Sequence, residues 1–242
     1  MLSRDYNTLK QFWNLKGLGL VSLVTSQNLE GFLASHTVKE ILSHREYFVW
    51  KNKPTEKRKS EWLLGRVASK LLAQQYLSKI RQASLKEIEF STNPRIKPIF
   101  RSGSDLTALD ISISHTTDLT VVALGLNERI KAGIDIEQTR EVKEGTYKYF
   151  LTGWEIKQLN QFKDKNRGST IFWTFKEAVL KSLGIGLKGS LKGVEINFEN
   201  DNISVDISKS NLELANRKKP RKIHTFYQSI DSYHLATVLL EN

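Results

Sequence analysis

Apolar residues fall into two kinds of run along this chain. Residues 55–79 and 168–184 repeat them at the three-to-four-residue spacing of an amphipathic helix. At about 100° per residue, Phe172, Phe175, Val179 and Leu183 gather on one side of the second helix, with Trp173, Glu177 and Lys181 in a stripe beside them. Gly184 supplies a stop, and Ser169 or Thr170 a cap for the start. The other runs are short, β-branched and mostly alternating: ISISH at 111–115, TVVALGL at 120–126, AGIDIE at 132–137, VEINF at 194–198, ISVDI at 203–207 and ATVLL at 236–240. They read as strands, and helices set between antiparallel-type strands give an α+β architecture.

The pattern occurs twice. Trp62, Arg66 and Lys70 have the same spacing as Trp173, Glu177 and Lys181. Upstream, Leu42-Ser-His-Arg-Glu46 resembles Leu151-Thr-Gly-Trp-Glu155, and downstream KEIEF at 86–90 resembles KGVEINF at 192–198. Similar elements in the same order, offset by roughly 110 residues, mark an internal repeat. Two similar subdomains are expected, with the boundary between 109 and 130, drawn as 1–115 and 116–242, and a ligand cleft between the halves.

Composition changes this picture in one respect. The 242 residues carry 37 Lys and Arg against 26 Asp and Glu, a net charge of +11, with basic clusters KNKPTEKRK at 51–59 and NRKKPRK at 216–222. Such a surface favours an anionic partner without selecting one. There is no cysteine, hence no disulfide and no thiolate metal site. The apolar run LGLVSLV at 18–24 is too short to span a membrane and lacks a signal-peptide cleavage pattern, so a soluble cytoplasmic protein is expected.

Against that basic background, GIDIE at 133–137 aims Asp135 and Glu137 to one face of a strand. Clustered carboxylates repel unless a cation joins them. With Glu177 they make an all-oxygen set suited to Mg²⁺, which keeps waters and shares phosphate oxygens with its substrate. For the phosphate itself, Ser114, His115 and Thr116 end a strand with hydroxyls, a ring nitrogen and a turning backbone. Lys97, held between two prolines in NPRIKPIF, would display an amine, and Arg58 and Arg66 belong to the helix of the first half.

In this order and spacing, NPRIKPIF, ISISHT, GIDIE and WTFKEAVLK resemble the 4′-phosphopantetheinyl transferases of the larger, monomeric type that activates peptide and polyketide synthetases. LSHREYF and KRKSEWLLGRVASK are similar to that family's first half, so the resemblance covers about residues 20–200. Ile96 is a departure, standing where the family often has Gly. The resemblance implies a pseudo-twofold pair of α+β subdomains with coenzyme A in the cleft. It implies transfer of 4′-phosphopantetheine to a serine of an acidic apo carrier protein, releasing adenosine 3′,5′-bisphosphate. Asp135, Glu137 and Glu177 would hold Mg²⁺, with Mn²⁺ the alternative, and Lys181 would neutralise or protonate the departing phosphate. Ser114, His115 and Lys97 would grip the nucleotide phosphates, helped by Arg58 and Arg66, and Glu177 or a metal-bound water would take the serine proton. Neither nucleic acid nor membrane is then expected as a partner. The rivals are another metal-dependent phosphotransferase or nuclease on the same carboxylates, and a nucleic-acid-binding module using the basic clusters.

Overall fold

The computed structural model describes residues 11–78, 82–90, 100–102, 109–199 and 202–242. It mixes helix and strand in two compact units, Met1–Ile130 and Lys131–Asn242. In the first unit, β1 (Gln11–Leu15), β2 (Gly19–Thr25), a run of helices α1 (Ser26–Ser35), α2 (Val38–Ile41), α3 (His44–Lys51) and α4 (Glu56–Leu77), and the short strands β3 (Ile88–Phe90) and β4 (Phe100–Ser102) precede β5 (Ile111–His115) and β6 (Leu119–Gly125). The sheet order is β1-β2-β6-β5, antiparallel throughout. The expected boundary at 115/116 therefore falls in a different place: β6 pairs with both β2 and β5 and stays with the first unit. Long α4 packs its apolar side, including Ala68, Leu72 and Leu77, on Leu20, Ile111, Val122 and Leu124 of that sheet.

The second unit follows with β7 (Ile130–Gln138), α5 (Tyr147–Phe150), α6 (Gly153–Leu159), α7 (Lys165–Leu183), β8 (Val194–Glu199), β9 (Asn202–Ile207), α8 (Lys209–Leu214), β10 (Lys222–Ile230) and β11 (Tyr233–Glu241). Its main sheet is ordered β10-β11-β7. Phe172, Phe175, Val179 and Leu183 of α7 are all buried in the core, as their spacing requires. Gly184 ends the helix in the left-handed conformation, φ 79°. The start lies elsewhere than expected. Asp164 is the cap, accepting from the backbone N–H groups of Asn166 and Arg167, while Ser169 and Thr170 lie inside the helix and donate to the Asn166 carbonyl. No helix among the described residues is long and apolar enough to cross a membrane.

The two units share one buried arrangement. In the first unit, the fully buried Lys70 ammonium donates to Glu46 at 2.6 Å, to the Leu85 carbonyl at 2.8 Å and to the Ile88 carbonyl. In the second, buried Lys176 donates to Glu155 at 2.8 Å, to the Leu191 carbonyl at 2.9 Å and to the Val194 carbonyl. Each acid closes a capping box at its helix start, with Ser43 or Thr152, and accepts a strand N–H, from Phe90 or Ile196. All three ammonium protons are used each time. This matching also corrects the repeat's register. Lys70 corresponds to Lys176 rather than to Lys181, so Leu71, not Arg66, stands at the place of Glu177.

Breaking such a buried pair strands a charge in the interior, at a cost of about 3–5 kcal/mol. Lys176→Met is expected to lower unfolding stability by that amount, read from the urea midpoint. A midpoint equal to the parent's would show the pair to be dispensable.

Candidate active site

Strand β7 and helix α7 meet at a glycine. A Cβ on Gly133 would lie 1.8 Å from the Ala178 carbonyl oxygen and 2.7 Å from the Ser182 nitrogen, so only a residue without one allows this approach. Residues two apart share a strand face, so Asp135 and Glu137 follow Gly133 onto the α7 side. There the Lys181 ammonium donates to Asp135 Oδ1 at 2.6 Å. The side chain of Asp135 is 4% exposed and that of Lys181 26%. Ile134 and Ile136 are buried on the opposite side.

The remaining acids sense the same centre. Burial raises the pKa of Glu137, the Asp135 charge raises it further, and Arg140, a hydrogen bond from Trp173 and Lys181 pull it back. Burial and then Asp135 also raise Glu177, opposed by Lys181 and reinforced by Glu137. The strand acids and the helix acid therefore lie within electrostatic reach of one another. Among the described residues, however, no three acids or histidines stand close enough in their present positions to hold a metal ion. The donor set nonetheless fits a hard cation in kind: buried carboxylate oxygens that repel one another and gain from a positive charge.

A raised carboxyl pKa means that the native state keeps a proton the unfolded chain has already lost. Metal-free stability should then fall as pH climbs from the ordinary carboxylate value through the raised one. Glu177→Gln removes one of the two groups. In chelator, its melting temperature is expected to drop less than the parent's across that window, and identical pH profiles would contradict the coupling.

Beyond Glu137 opens a cavity of about 390 Å³, lined by Arg140, Val142, Thr146, Phe150 and Trp173 among others. Arg140 sits 5.9 Å from the Trp173 ring centre, and Phe150 meets that ring edge-on. The sequence reading missed this cavity, whose walls come from the irregular stretch after β7. It also missed Lys176 and matched Lys70 with Lys181 instead, although a lysine on the apolar face of each helix was the available signal.

The first-unit residues are placed as follows. Ser114 is buried near the end of β5 and His115 is exposed at its last position, beside a cavity of about 570 Å³ that Ser26, Lys57, Ser60, Glu61 and Thr116 also line. Arg58 is exposed in the first turn of α4. Arg66 is buried, its guanidinium 4.7 Å from the Trp62 ring centre, 5.2 Å from that of Phe90 and 3.6 Å from Glu46. Lys97 lies outside the described residues.

A strand and a helix thus bring acids and an ammonium together on an α+β scaffold. The model of the 4′-phosphopantetheinyl transferase superfamily matches residues 131–238, nearly the whole second unit. The 4′-phosphopantetheinyl transferase HetI of Nostoc sp. is 31% identical over 114 residues, covering 46% of this chain and 47% of that protein. The human L-aminoadipate-semialdehyde dehydrogenase-phosphopantetheinyl transferase is 24% identical over 187 residues, covering 72% of this chain and 60% of its own. The matches thus span about half of the first relative's length and 60% of the second's. Among solved structures, the Thermotoga maritima holo-[acyl-carrier-protein] synthase aligns at 26% identity with a TM-score of 0.40, over 46% of this chain and 63% of that one, a partial likeness that carries no further conclusion.

Proposed function

We propose that this protein is a 4′-phosphopantetheinyl transferase that moves the phosphopantetheine group of coenzyme A to a serine of an apo carrier protein. The observation that carries the proposal is the Lys181–Asp135 contact at 2.6 Å, with Glu137 and Glu177 in electrostatic reach, inside the family-matched segment. In the step, the serine oxygen bonds to the phosphorus that bears pantetheine. The bond from that phosphorus to adenosine 3′,5′-bisphosphate breaks, and the leaving group takes the electron pair.

The chain's own residues suit this chemistry, which asks for neutralised charge and alignment more than for covalent help. Asp135, Glu137 and Glu177 would hold Mg²⁺, which when bound supplies positive charge against the diphosphate. Lys181 offsets the charge that builds on the departing phosphate. Glu177 takes the serine proton, directly or through a water beside it. The cavity ending at Glu137 gives the transferred arm a place to lie. Ser114 and His115, together with Lys97 and Arg58, take the nucleotide phosphates in this reading. Arg66 acts by holding Glu46. The net charge of +11 suits an acidic carrier protein, whose encounter it would speed. The lock repeated in each unit supports the view that the two are copies of one ancestral fold.

Incubation with coenzyme A, Mg²⁺ and a panel of apo carrier proteins, read by intact mass, tests the proposal. One carrier is expected to gain a single phosphopantetheine. No gain on any carrier, or cleavage of nucleic acid without coenzyme A, would replace this reading with one of its rivals.

A further inference from the structure

We propose that Lys181 is an exchangeable internal counter-cation: it holds Asp135 while no divalent ion is bound, then moves to the nucleotide diphosphate when the ion takes that carboxylate, coupling the two binding events. The inference rests on the functional reading above and adds to it a reason why metal and coenzyme A should bind together.

Asp135 is nearly sealed from water, so in the metal-free chain the ammonium of Lys181 neutralises it in place of solvent. The ammonium stands 2.6 Å from Oδ1, so a divalent ion on either oxygen of this carboxylate would lie close to it. Two cations that close in a water-poor setting repel strongly, and the one on the flexible arm gives way. Lys181 is able to do so. Its side chain is 26% exposed, and a flexible four-carbon stem lets it swing without moving α7.

Displacing the ammonium from Asp135 costs free energy unless an anion receives it, and a diphosphate held by the same metal is such an anion. Metal binding thus favours nucleotide binding, and by linkage the nucleotide must favour the metal by an equal factor. Substituting Lys181 with an uncharged side chain of similar length removes the competitor. The variant should bind metal alone more tightly and show less enhancement by coenzyme A.

The test is Mn²⁺ binding to the full chain, followed by calorimetry and by the electron paramagnetic resonance signal of free Mn²⁺, with and without coenzyme A. For Lys181→Met, affinity for Mn²⁺ alone is expected to rise about five- to tenfold over the parent, with the coenzyme A enhancement reduced by the same factor. Lys181→Gln should behave alike, and circular dichroism establishes that each variant is folded. If Mn²⁺ alone binds the folded variants no better than the parent while the parent still binds Mn²⁺ with coenzyme A, the exchange is overturned and the transferase reading stands. If the parent binds Mn²⁺ in neither condition, both fall.

Discussion

Asp135→Asn is expected to cut the rate of holo carrier formation about 10²–10³-fold, the usual effect of deleting one preorganised electrostatic group. The amide keeps the shape of the carboxylate and removes its charge. With it goes one of the oxygens proposed to face the divalent ion, and Lys181 is left without the anion it now contacts at 2.6 Å. Stability should change little, since Lys181 is 26% exposed and can turn to water, and the loss of one negative charge relieves Glu137 and Glu177. The informative result is therefore a folded protein with little turnover. A variant that modified carrier protein at the parental rate would remove Asp135 from the chemistry and with it the basis of the proposed function.

Gly133→Ala is expected to act in the opposite way, through the fold. The added methyl would meet the Ala178 carbonyl oxygen at 1.8 Å and the Ser182 nitrogen at 2.7 Å. Both are backbone atoms of α7, which cannot rotate aside as a side chain can, so helix and strand must separate. Overpacking of this kind costs about 1–3 kcal/mol and sometimes more, and the upper part of that range is expected because the contact is with backbone. The separation also pulls Lys181 from Asp135, and a displacement near 1 Å in a reacting constellation is enough to cost about 10²-fold. Urea denaturation and carrier modification below the unfolding midpoint should both show the loss. Parental stability would mean that β7 and α7 have slack.

Much of the site was legible because it obeys simple periodicities. GIDIE alternates, so Asp135 and Glu137 had to share a face, and WTFKEAVLK repeats at helical spacing, so Glu177 and Lys181 had to share a stripe. What sequence reasoning got wrong lay where two residues of one type compete for one explanation. Helix α7 carries Lys176 and Lys181, and a matched tryptophan drew the repeat onto the second, although the first is the one with a partner in Lys70. Burial decides between them, and burial depends on β8, distant in sequence. The helix start was misplaced for a similar reason: Asp164 reads as a loop acid until two N–H groups are seen to converge on it. The cavity beside Trp173 was out of reach, being shaped by an aperiodic segment that joins β7 to α5.

The neighbouring residues Lys176 and Glu177 project from α7 in different directions, one sealed against β8 and the other toward the acids of β7. Cohesion and reactivity are thereby assigned to separate sectors of a single rod. Under the proposed function, a lesion on the sector facing the acids produces a silent but well-formed molecule, still able to occupy a partner it no longer modifies. A lesion on the other sector yields no molecule to occupy anything. In a cell the two kinds of damage would differ in dominance, the first interfering with intact copies and the second simply lowering their number.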